Sequence, residues 1–165
     1  MDSIDLIHEN LRRSESIVLS RVEDMRDHCF VSPTSRGGCH TLWILGHLAF
    51  IEGLVIFDFM RGEPNPLSHW QGSFDGEDLP VEKAIDVTFD QAIIACRDMR
   101  SKTISLLETL EEPHLDRSGT EVPEGAEHLF GTYRRCFQYV ADHWLMHRGQ
   151  LADARRAAGI SKMWY

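Results

Sequence analysis

Tyr139-Val140-Ala141-Asp142-His143-Trp144-Leu145-Met146-His147-Arg148-Gly149-Gln150-Leu151 is the stretch from which the fold is read. Phe137, Val140, Trp144, Leu145, Leu151 and Ala154 recur at helical spacing, which predicts one long helix from Phe130 or Gly131 to about Ala158. Gly159 follows as its stop, and Arg155 and Arg156 suit the negative end of its dipole. His143 and His147 stand one turn apart on one face of that helix, with Cβ atoms roughly 6 Å apart. Two imidazoles so placed can reach one metal ion. Cys136 shares their face but lies two turns earlier, about 10 Å along the axis, too far to join them easily.

Working back along the chain, Trp43-Ile44-Leu45-Gly46-His47-Leu48 belongs to a second helix, predicted from His40 or Thr41 to Met60 or Arg61. Trp43, Ile44, His47, Ile51, Leu54 and Val55 form one stripe, apolar apart from His47. A histidine so placed is either a hydrogen-bonded core residue or a ligand, and spacing leaves both open. Gly46 costs the helix about 1 kcal/mol relative to Ala and would let another backbone approach closely. Glu52 is a candidate to orient an imidazole.

Two further helices complete the pattern. Ser3 to about Cys29 carries apolar residues at three-, four- and seven-residue steps, with Ser3 as a candidate N-cap. Val81 to Leu110 keeps helical spacing through Ile85, Phe89, Cys96 and Leu107. Between the helices lie loops rich in Pro and Gly. Residues 62–80 form a long connection whose Trp70 and Phe74 could fold back over one end of the helices as a lid or as plain packing. Four long helices with no convincing strand and no interior boundary predict an all-α, single-domain four-helix bundle over residues 1–165.

Composition narrows function. The chain has 165 residues and a formal net charge of −9, with a pI near 5.4. An acidic surface repels phosphate backbones, which argues against nucleic-acid binding. The start of the chain is polar and acidic, unlike a signal peptide, and the richest apolar run, Leu48–Met60, is interrupted by Glu52, Gly53 and Asp58, so no membrane span is expected. Cys29, Cys39, Cys96 and Cys136 form no C-x-x-C pair and read as reduced thiols, consistent with a cytoplasmic location.

Two blocks together resemble the DinB/YfiT-like superfamily. The first runs from His40 to Glu52, preceded by Pro33 and Gly37-Gly38. The second is His143-x-x-x-His147-Arg148-Gly149-Gln150-Leu151, followed by Arg155-Arg156-Ala157-Ala158-Gly159. The resemblance implies a mirror variant of the up-and-down four-helix bundle. It also implies a divalent ion, zinc or nickel, held by His47, His143 and His147. Relatives include transferases that use bacillithiol or mycothiol and a mycothiol-dependent maleylpyruvate isomerase, and homodimers are common among them.

Three neutral imidazoles would leave a metal ion one open position, the pattern of catalytic rather than structural zinc. Imidazole suits zinc, nickel, copper or iron(II) alike. The open position would hold water or a thiol, either of which loses its proton more readily on the ion. Glu52, Asp142 and Arg148 are candidates to orient ligands or to bind an anionic substrate, and His40 could lie near the ion without ligating it. The expected activity is thiol-dependent S-transfer to a small electrophile or a related addition or isomerisation, with hydrolysis by an activated water as the other enzymatic reading; a small-molecule substrate and a low-molecular-weight thiol are the expected partners. Two other readings stand beside it: a non-catalytic metal-binding or stress-response module, and histidines that only pack the core.

Overall fold

Asp2, not Ser3, caps the first helix. Its side chain accepts from the Asp5 amide, and Asp5 reaches back to the Asp2 amide. Helix α1 then spans Ser3–Leu19 in the computed structural model, which describes residues 2–20, 22–33, 38–76 and 86–160. The expected run to Cys29 is interrupted. The α-helix ends at Leu19, and a separate 3-10 helix covers Glu23–His28. Val18, Val22 and Met25 are all fully buried, so the apolar spacing continues across the break and hides it from a sequence reading.

Helix α2 spans Thr41–Gly53 and continues through a π-helical segment, Leu54–Phe59. Every residue from Thr41 to Phe50 is buried, so the single expected stripe is in fact apolar on all sides. By length and composition Thr41–Phe59 could cross a membrane, contrary to the sequence reading, but 72% of it is buried against the rest of this fold. Near the end of this helix, where carbonyls lack intrahelical donors, the Phe59 carbonyl accepts from the amides of Thr120 and Glu121.

The connection after α2 turns at Gly62, with φ +67°, and is anchored by Asn65, whose side-chain amide donates to the Phe50 carbonyl. A 3-10 turn at Ser68–Trp70 then delivers Trp70 and Phe74 into the core. The expected start of the next helix at Val81, with Ile85, lies outside the described residues. Among those described, helix α3 spans Phe89–Leu107. Thr88 caps it in a reciprocal pair with Gln91, a T-x-x-Q signal that apolar spacing alone overlooks.

A short helix α4, Glu127–Phe130, precedes α5, Tyr133–Ala157. Thr132 caps α5 and Gly159, with φ +73°, ends it as expected. Arg155 does more than complement the helix dipole: it is buried and meets Asp24 at 2.9 Å.

The protein is all-α, with no strand among the described residues. Helix α1 packs on α3 and α5, and α2 packs on the same two helices. One apolar cluster surrounds α2, with Trp43, Leu48, Cys96 and Trp144 among its members; the other joins Leu11, Ile56, Leu107 and Phe137. Where the helices meet, Arg100 donates to Glu52 at 2.8 Å, to the Leu11 carbonyl and to Ser14, and lies over the Trp144 ring. Both members of this ion pair are buried.

Candidate metal centre

Helices α2 and α5 bring His47, His143 and His147 together. One ligand atom from each falls within 4.8 Å of the others, and the Nε2 atoms of His143 and His147 are 3.0 Å apart. His47 and His143 are buried and His147 is half-buried. Two imidazole nitrogens on one tetrahedral ion at about 2.0–2.1 Å stand about 3.3 Å apart, so the α5 pair already has a ligating separation. These three histidines could hold a metal ion.

The local sequence explains their placement. Trp43 lies one turn before His47 and stacks on its imidazole, with ring centres 4.5 Å apart. Gly46 lacks the Cβ that would overlap the Phe74 ring. The close neighbour that Gly46 admits is therefore an aromatic side chain, not a second backbone. With that ring seated, the Phe74 carbonyl sits 2.7 Å from His47 Nδ1. A carbonyl only accepts, so Nδ1 carries the proton and Nε2 keeps its lone pair for the centre. His147 is arranged alike, its Nδ1 lying 2.6 Å from the Gln150 side-chain oxygen.

Burial keeps the imidazoles neutral. It lowers the His47 pKa to about 4, against a smaller opposing effect from the Phe74 carbonyl. Burial, with His147 and His47 nearby, lowers His143 to about 2, and His147 is also shifted down by burial. Neutral imidazole is the form that ligates a metal. Nitrogen donors, convergence, protonation state and oriented rings thus all fit a divalent ion.

Glu52 does not orient an imidazole; it is committed to Arg100 in the core. The groups that do so, the Phe74 carbonyl and Gln150, escaped the sequence reading. A carbonyl carries no residue-type signal, whereas Gln150, three positions after His147, was visible in principle. Asp142 is exposed and accepts from Gln138. Arg148 is half-buried beside His147 on α5. His40 caps α2, its Nδ1 accepting from the Trp43 amide. Cys136 is buried and directs its thiol to the Phe130 carbonyl. All four cysteines are free thiols. Trp70 and Phe74 act as packed wall: both are buried, and their rings touch at 5.0 Å.

The sequence profile of the DinB superfamily matches residues 10–151, a span that contains all three histidines, and the chain belongs to that family. No curated protein and no solved structure matches it.

Proposed function

We propose that this protein is a metal-dependent enzyme that transfers a thiol to a small electrophile, built on a four-helix bundle of mirrored up-and-down topology. The observation that carries the reading is the convergence of three neutral imidazoles, two of them with Nδ1 tied to an acceptor. His47, His143 and His147 would hold a divalent ion, zinc or nickel by the family resemblance. When bound, the ion supplies an open position at which a thiol or water loses its proton near neutral pH. The chain's own contribution is to hold three rings still and neutral, with Trp43 and Phe74 fixing His47 and Gln150 fixing His147. Trp43 and the buried wall behind it also keep water from the α2 side of the centre.

The test begins with elemental analysis of untagged chain purified without chelators, beside His143→Ala. About one zinc or nickel per chain, absent in the variant, is expected. The loaded protein is then screened with low-molecular-weight thiols against aryl halides, epoxides and unsaturated carbonyl compounds. Metal-dependent consumption of thiol supports the reading. A loaded site with no turnover for any pair would leave a metal-binding module in its place.

A further inference from the structure

The third imidazole is held differently from the other two. His143 is 4% exposed, yet among the described residues its Nδ1 has no hydrogen-bond partner. When Nε2 ligates an ion, Nδ1 carries the proton, and a ligating imidazole normally gives that N–H to an acceptor. His143 also forms part of the wall of a cavity of about 320 Å³ between α4 and the first half of α5.

The cavity has a defined character. Leu129, Met146 and the Tyr139 ring give it a mainly apolar surface, and Tyr139 stacks on the His143 imidazole with ring centres 5.5 Å apart. Leu129 and Met146 are 39% and 62% exposed, so the apolar wall of the cavity is open to an entering molecule. Arg135 stands on the same wall. One of its amino groups donates to the Glu127 carbonyl, which leaves further guanidinium N–H groups unengaged among the described residues. A volume near the low end of small-molecule pockets suits one or two fused rings rather than a peptide.

We infer that this cavity binds the body of the substrate, a small flat apolar molecule bearing a carboxylate or carbonyl oxygen that accepts from His143 Nδ1. Arg135 supplies a positive charge that favours a carboxylate, on a wall where the Asp142 carboxylate is already engaged by the Gln138 side-chain amide. The inference rests on the proposed metal centre for its link to catalysis, but the binding itself can be measured without turnover. It places the substrate's acceptor against one ligand of the triad, so that the substrate completes the hydrogen bonding the protein leaves open.

The experiment is calorimetric titration of 2-naphthoate into the metal-loaded full chain, beside Leu129→Trp and Met146→Trp. Both substitutions fall at exposed positions and put bulk into the cavity. Saturable binding at one site is expected, weakened by about 10-fold or more in each variant, with metal content unchanged. Arg135→Gln should weaken 2-naphthoate more than neutral 2-acetylnaphthalene. Equal affinity in wild type and both tryptophan variants, or no binding at millimolar concentration, overturns the inference. Should a tryptophan variant fail to fold, amide shifts of the wild type on titration decide the matter: changes centred on residues 128–146 support the pocket, and changes elsewhere overturn it. Thiol turnover without naphthoate binding removes the pocket and leaves the proposed reaction standing. Naphthoate binding without turnover keeps the pocket and counts against the reaction.

Discussion

His47 Nδ1 and the carbonyl oxygen of Phe74 lie 2.7 Å apart, although 27 positions separate them in the chain. A loop of little regular structure thus fixes the tautomer and orientation of a candidate ligand on the most buried helix. Gly46 makes this possible, because a Cβ there would overlap the Phe74 ring.

Gly46→Ala is expected to destabilise the protein. Alanine would contribute about 1 kcal/mol through helix propensity, but overpacking a filled core costs typically about 1–3 kcal/mol. The larger effect is expected at the centre. Displacing Phe74 removes the acceptor for His47 Nδ1, and losing such a partner lowers metal affinity by about 10–100-fold. Competition titration with a chelator, alongside urea unfolding, measures both. An alanine variant with wild-type metal affinity would show that the carbonyl does not hold the ring.

Gln150→Ala probes the corresponding contact on His147 without disturbing the core. Gln150 is exposed, so unfolding free energy should change by no more than about 0.5 kcal/mol. Metal affinity should fall by about 10-fold or more, while saturating metal still fills the site. The contrast with His147→Ala, expected to lose the ion outright, separates a residue that orients a ligand from the ligand itself.

How far the sequence reveals this site follows from where its information is stored. His143, His147 and His47 are side chains at helical spacing, and two short blocks suffice to find them. The helices that carry them are legible for the same reason. The wall of the site is not, because the Phe74 carbonyl and the cavity beside His143 exist only once distant segments meet. Glu52 misleads in the opposite direction. It stands five residues after His47 and carries a suitable carboxylate, yet its partner Arg100 is 48 positions away. Nothing local distinguishes a carboxylate that orients a ligand from one that answers a buried guanidinium.

The Glu52–Arg100 pair gives a third prediction. Both side chains are essentially inaccessible, and removing one partner leaves a buried charge or forces it to neutralise. Burial already pushes the Glu52 carboxyl up, with the Arg100 guanidinium as the first force pulling it back. Glu52→Ala and Arg100→Ala should each cost about 3–5 kcal/mol. The double variant should cost clearly less than the two single losses combined, because the second substitution removes a charge that the first had left unpaired. Urea unfolding of the four proteins measures the coupling. Simple additivity would mean that Arg100 acts mainly through Leu11, Ser14 and Trp144.

The last prediction concerns alkaline pH and is independent of the metal. Burial pushes the Cys136 thiol up to about 12 and raises Cys96 strongly as well, from an ordinary value near 9. A raised thiol pKa means that between the two values the folded chain holds protons that the unfolded chain releases. Stability from these groups is therefore fully present below pH 9 and is lost as pH rises through about 12. Each thiol contributes a slope that approaches about 1.4 kcal/mol per pH unit in that window. Urea midpoints measured from pH 7 to 10 should fall in the wild type and fall less steeply in Cys136→Ala, whatever its stability at pH 7. The native thiols should also resist alkylation at pH 8 until denaturant is added, since the reactive species is the thiolate and burial suppresses it. Rapid labelling of Cys136 in folded protein would mean that α5 opens locally near residue 136, and the alkaline slope would then shrink with it.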